Sequence, residues 1–280
     1  MRVELDVGQP FHLPPGAGEI IGDSEDRRVE ILSDRDELHA TWSRFGPGRN
    51  GADPHVHRRH TDLFYVLAGE LTIGLGADRS ETVVPAGSLV IAPPLVVHAF
   101  RNGNETEEVR YLNFHAPGGG FADYLRGRGA FDSEDPPADG GRPVEEASIG
   151  TGELVADRPG LRVSLLADIE EIGLCEVVSD PGAPSPPVHV HRRHSESFYV
   201  LEGEITFVLG ERELVAGPGA WAHVPAGVPH TFALRGSERV RYLDVHTPGC
   251  GFGDFVGALN NARDEEELAA ARAQFDQEPA

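Results

Sequence analysis

The sequence predicts an all-β chain folded as two similar barrels in tandem. Three observations carry this expectation. Glycine and proline supply 34 and 22 of the 280 residues, a fifth of the chain, which favours many turns and short strands over a helical bundle. Long stretches recur once, at offsets of 134, 132 and 131 residues. Within each copy, short β-rich runs alternate with turn signals at the close spacing of a small barrel or jelly roll.

The repeat defines the elements. Pro54-His55-Val56-His57-Arg58-Arg59-His60 matches Pro187 to His194, sharing Val-His-Arg-Arg-His without a gap. Phe64-Tyr65-Val66-Leu67-Ala68-Gly69-Glu70 matches Phe198 to Glu204, His98 matches His230, and Arg110 to Gly118 matches Arg241 to Gly249. The period is too long for a solenoid, so two complete domains are expected, 1–140 and 141–280. Residues 126–146, rich in Gly, Pro and acids, read as an exposed linker or long loop. Leu161–Leu166 and Ile172–Val178 read as strands. Phe198–Leu201 and Ile205–Leu209 read as a hairpin about Glu202-Gly203-Glu204. Trp221–Val224 leads into the turn Pro225–Pro229, which sets His230 at the start of a strand. Helical pattern comes late in each half, at Phe121–Arg126, Asp254–Asn261 and Arg263–Phe275, the last read as a capping or loosely packed tail.

Composition removes whole classes of function. Asp and Glu number 46 against 24 basic residues, all arginine, for a net charge of −22. Such a chain repels phosphate backbones, and no basic helix, helix-turn-helix or Cys/His finger offsets that, so no nucleic-acid partner is expected. No run of 18 apolar residues predicts a membrane span. The start carries no apolar signal-peptide region, and Cys175 and Cys250 form neither a metal spacing nor a disulfide framework, so a cytoplasmic setting is expected.

Ten of the 13 histidines fall at matched positions. His189 and His191 are two apart in a strand-like run, so both imidazoles leave one face. Glu196 opens the next strand and His230 opens a later one. Three imidazoles and a carboxylate suit a divalent first-row ion (Mn, Fe, Co, Ni, Cu or Zn) and leave room for water or substrate. Of the remaining matched residues, His60, His194 and Arg58, Arg59, Arg192 and Arg193 read as solvated turn residues, and His115 and His246 as structural caps. The unmatched His223 reads as a buried, hydrogen-bonded side chain, and Tyr65, Tyr199 and Cys175 as core.

These residues resemble the two motifs of the cupin superfamily, whose fold is the double-stranded β-helix. His189-x-His191, Glu196 and Gly203 fit the first motif, with Gly182 one place early; Gly219, Pro225, Gly227 and His230 fit the second, with Leu234 replacing a final Asn. In the first half His55, His57, Asp62 and Gly69 fit the first motif, with Gly48 one place early and Asp62 replacing Glu. Gly87, Pro93, His98 and Asn102 fit the second, with Leu95 replacing Gly. The resemblance covers nearly all of the chain and implies two tandem cupin barrels, each with short C-terminal helices. It implies one divalent metal per domain, held by His189, His191, Glu196 and His230 and by His55, His57, Asp62 and His98. Asp is one methylene shorter than Glu, so Asp62 is expected to fall about 1.5 Å short.

Within the superfamily the chain is most similar to quercetin-dioxygenase-like bicupins. That implies a metal-dependent dioxygenase, an oxidoreductase, acting on a small molecule with an enol or aromatic hydroxyl. Glu196 would be both ligand and catalytic base. The same ligands would serve a metal-dependent isomerase, decarboxylase or lyase, and a third reading is a non-catalytic bicupin that binds a small molecule. The resemblance is also compatible with a homodimer.

Overall fold

The Phe-Tyr-Val-Leu run of each repeat lies in an interior strand, third of seven, of an antiparallel sheet. Thr61–Ala68 lies between Leu89–Ala92 and Val109–Ala116 in one. Ser195–Glu202 lies between Trp221–Val224 and Val240–Thr247 in the other. A second, smaller sheet completes each barrel, built on Glu70–Leu75 in the first and Ile205–Leu209 in the second. These arrangements come from a computed structural model, which describes residues 9–209 and 212–280. The chain is thus all-β with two cupin-type barrels and few helices, as expected.

Alternation along the strands fills each barrel. Phe64, Val66, Leu71, Ile73, Val84 and Val90 form the core of the first, and Phe198, Val200, Ile205 and Phe207 anchor that of the second. Each buried Phe or Leu contributes about 1.5–3 kcal/mol. The hairpin glycines of the first motif are required by space and by backbone angle. Gly69 has φ +72° and a Cβ there would meet the Glu108 carbonyl oxygen at 2.4 Å; Gly203 has φ +73° and would meet that of Arg239 at 2.5 Å.

The compact units do not divide at residue 140. Glu19–Thr151 forms one, and residues 9–18 join Gly152–Ala280 in the other. Strand pairing is the reason. Phe11–Leu13 extends the second barrel's sheet by pairing with Trp221–Val224, and Ser148–Gly150 extends the first by pairing with Leu89–Ala92.

The three expected helices form with slightly shifted ends: α1 Phe121–Leu125, α2 Phe252–Asn261 and α3 Glu265–Gln274. Asp264 caps α3 by accepting from the Glu267 amide at 2.9 Å. The linker or long loop at 126–146 pairs with the first barrel at one point, and the chain just beyond the capping or loosely packed tail at 263–275 pairs with the second. Glu134 bridges to Val56, and Glu278–Pro279 pairs with His189–Val190, so each segment adds backbone to a barrel. No helix among the described residues is long and apolar enough to cross a membrane.

Candidate metal centres and the C-terminal cavity

The His189–Val190 strand pairs with His230–Ala233 so that His189 and His230 face each other. His191 and Glu196 reach the same point, and the four ligand atoms lie within 4.8 Å of one another. Each ring meets a backbone carbonyl through Nδ1: His189 that of Pro187 at 2.9 Å, His191 that of Asp276 at 2.7 Å and His230 that of Val228 at 2.9 Å. A carbonyl only accepts, so Nδ1 donates and the Nε2 lone pair faces inward. Glu196 Oε2 lies 2.6 Å from His230 Nε2, 3.2 Å from His191 Nε2 and 3.9 Å from His189 Nε2. Three lone pairs and a carboxylate converging in a buried space fit a divalent cation.

The N-terminal cluster repeats this design. His55 Nδ1 donates to the Asp53 carbonyl at 2.7 Å, His57 Nδ1 to that of Asp132 at 2.5 Å and His98 Nδ1 to that of Val96 at 2.9 Å. The buried Nε2 atoms of His57 and His98 have no hydrogen-bond partner, as expected of lone pairs that await a cation. His55, His57, Asp62 and His98 again fall within 4.8 Å. Asp62 Oδ2 stands 3.3 Å from His98 Nε2 and 3.5 Å from His57 Nε2. The corresponding Glu196 distances are 2.6 and 3.2 Å, so the shorter side chain costs less than the 1.5 Å expected. Strand register is unchanged, since Asp62 faces His115 as Glu196 faces His246. Leu95 adopts φ +67° where Gly227 has +83°, so the strained residue keeps the turn. Both residues donate their amide to the second histidine's carbonyl, Leu95 to His57 at 2.7 Å and Gly227 to His191 at 2.6 Å.

Several residues read as bystanders belong to these sites. His60 and His194 are 0% and 3% exposed and are not turn residues facing solvent. His194 Nδ1 lies 3.0 Å from Asp276 Oδ2, and its Nε2 pairs with His246 Nδ1 at 3.1 Å. His246 in turn lies 3.4 Å from Asp244, beside Glu196. Burial, then the Glu196 carboxylate, keeps the Asp244 carboxyl above its ordinary value. Asn113 takes that place in the first half, donating to Asp62 and accepting from His115 Nε2 at 3.0 Å. Arg58 and Arg192 are exposed and paired, with Glu134 at 2.6 Å and Glu278 at 2.6 Å. His223 is buried against Ser197 Oγ at 2.8 Å; Tyr65, Tyr199 and Cys175 are core, as expected.

Sequence reasoning missed one functional element. Phe131-Asp132-Ser133-Glu134 and Phe275-Asp276-Gln277-Glu278 are equivalent straps. Each supplies a carbonyl to the second histidine of the cluster, a carboxylate to turn amides (Arg59 at 2.8 Å, Arg193 at 2.7 Å) and a Glu to the neighbouring Arg. The signal was Phe-Asp-x-Glu in both halves, hidden by an offset of 144 instead of 131.

The two barrels differ above their clusters. A cavity of about 400 Å³ opens onto His189, His191 and Glu196, walled by Val177, Phe232, Leu234, Tyr242, Phe252 and Phe255 among others. Ser179 lines it. In the first barrel Phe45 holds the position of Ser179, since each faces the equivalent valine of the next strand, Val109 or Val240. Phe45 packs on Phe100 and Tyr111 at ring separations of 6.0 and 5.4 Å. Where Leu234 lines the cavity, Asn102 ties loops together by donating to Gly46 and Glu107 carbonyls at 2.8 Å each. Phe131 lies 5.0 Å from both the His57 and His60 rings.

Fold and sites together define a double-barrel protein with a cluster of three histidines and one carboxylate in each half. The chain belongs to the cupin family: residues 41–115 and 175–246, just over half of it, match the cupin domain. Quercetin 2,3-dioxygenase of Bacillus subtilis (strain 168) is 33% identical over 102 residues, which cover 36% of this chain and 30% of that enzyme. Among solved structures, Bacillus subtilis oxalate decarboxylase at pH 4.6 superposes with a TM-score of 0.61 at 14% identity, covering 87% of this chain and 77% of that one. A deletion mutant of the same Bacillus subtilis decarboxylase superposes with a TM-score of 0.59 at 15% identity, covering 87% and 78%. At that identity the likeness is one of fold.

Proposed function

We propose that the chain is a metal-dependent dioxygenase of the quercetinase kind, with its active centre in the C-terminal barrel. His189, His191, Glu196 and His230 hold a divalent first-row metal there, and His55, His57, Asp62 and His98 hold a second that is structural. The observation that carries this reading is the apolar cavity of about 400 Å³ opening onto the four-residue cluster. Its volume and its aromatic and aliphatic walls suit a ring-bearing molecule, not a dianion as small as oxalate. The similarity to quercetin 2,3-dioxygenase supports the same class.

A divalent ion in this site supplies Lewis acidity, which lowers the pKa of a substrate hydroxyl. The protein does the rest. Phe232, Tyr242 and Phe252 hold the ring and exclude water, the three imidazoles fix the hydroxyl's position, and Glu196 accepts its proton. Dioxygen adds to the ring carbon made electron-rich by that loss; the O–O bond and a ring carbon–carbon bond break, the ring is oxidised as dioxygen is reduced, and both oxygen atoms enter the product.

The test is oxygen uptake by the metal-loaded chain with flavonols and catechols, run beside carbon dioxide release from oxalate. Uptake with a flavonol or catechol, lost in Glu196→Gln, is the expected result. Carbon dioxide from oxalate without oxygen uptake would make the chain a decarboxylase. Tight flavonol binding with no turnover would make it a binding protein.

A further inference from the structure

Arginine in this acidic chain is commonly paired: Arg28, Arg49, Arg101, Arg126 and Arg235 each meet a carboxylate within 3.2 Å. The two arginines on the wall of the C-terminal cavity are among the minority of described arginines that are not. No carboxylate oxygen among the described residues lies within 4.0 Å of the Arg158 or Arg272 guanidinium, although acids outnumber bases 46 to 24. Arg158 donates to the neutral Asn260 amide oxygen. Arg272 Nε is buried and has no hydrogen-bond partner. A buried cationic donor left unsatisfied destabilises the ligand-free protein, and an arriving oxyanion removes that penalty.

Placement adds to this. Arg272 lines the main cavity and also an adjoining one of about 190 Å³, and His189 and Gln277 line both. Arg272 therefore stands on the boundary of a space that His189 of the metal cluster also lines. It is carried by α3, and the described residues of the first barrel hold no second helix between α1 and Phe131. The helix that carries Arg272 thus has no counterpart among the described residues of the first barrel.

We propose that the C-terminal cavity takes an anionic ring-bearing molecule whose carboxylate, or equivalent oxyanion, pairs with Arg272 while its hydroxyl faces the metal cluster. Arg272 is a specificity-determining residue, and Arg158 adds positive potential on the same wall. This deepens the reading above and rests on it for the hydroxyl end alone. A planar guanidinium offers a carboxylate two parallel donors, which a neutral ester cannot match.

The experiment varies each end of the ligand separately. The full chain loaded with Mn(II) is titrated calorimetrically with 3-(3,4-dihydroxyphenyl)propionate, its methyl ester, 3-phenylpropionate and its methyl ester. Wild type is compared with Arg272→Gln, and with Arg272→Met should the first variant not fold. The acids bind the wild type about tenfold tighter than their esters, and the substitution removes that preference while ester affinity stays within twofold. Equal affinity of acid and ester for the wild type overturns the proposal. So does an acid preference that survives the substitution, because the carboxylate is then bound by the metal. The ring hydroxyls report independently: if the dihydroxy acid binds no tighter than 3-phenylpropionate, the aromatic-hydroxyl reading falls while the assignment of Arg272 stands or falls on the ester comparison.

Discussion

One methylene separates the two clusters. Asp62 reaches its histidines at 3.3 and 3.5 Å where Glu196 reaches its own at 2.6 and 3.2 Å. Asp62→Glu should therefore tighten metal binding in the first barrel by about tenfold, the scale on which ligand-shell changes act. Competition with a chromogenic chelator measures it, and unchanged affinity would mean that the gap is closed by other means. His39 offers a second test. Burial, and then Arg126, lower its pKa to about 3 from 6.5, and neither ring nitrogen has a hydrogen-bond partner. Between those values the unfolded chain binds the extra proton, so stability is full above pH 6.5 and is lost as pH falls toward 3. The Tm of the metal-free protein should drop over that range, with a shallower slope in His39→Phe. The eight cluster positions were legible in the sequence because ligand chemistry restricts residue type. The burial of His60 and His194 was not legible, because a turn reads as exposed until the strap that covers it is known.

The straps are that missing cover. Asp132 and Asp276 each offer a backbone carbonyl to a histidine of the cluster and a carboxylate to the turn beyond it. Asp276→Ala should loosen the C-terminal strap and weaken that metal site about tenfold while sparing the other; Asp132→Ala should do the reverse. Site-resolved metal titration checks both, and loss at both sites together would point to general unfolding. Strands and helices were readable from periodicity and turn residues, with ends off by one to three positions. A four-residue strap has no periodicity to read. The first is set among Gly, Pro and acids that signal a linker, and the second follows α3, which changes the repeat offset. The same blindness placed the domain boundary at 140, because Phe11–Leu13 and Ser148–Gly150 are too short to reveal which sheet they join.

Across the whole molecule, duplication has produced two like frameworks with unlike interiors. The fold followed from the repeat and the motifs, but the cavity did not. It depends on Ser179 standing where the first barrel has Phe45, and on Leu234 where it has Asn102, and such pairs are recognisable only once their neighbours are in place. Ser179→Phe should fill the mouth of the C-terminal cavity, abolishing binding of a flavonol while leaving metal content unchanged, as fluorescence titration and elemental analysis would show. Both barrels are proposed to bind metal through their clusters. Elemental mass spectrometry on protein purified without added metal or affinity nickel tests this proposal most directly, comparing wild type with His57→Ala and His191→Ala. Close to two ions per wild-type chain and close to one in each variant are expected. A value near zero in the wild type, with no uptake on titration, would contradict it.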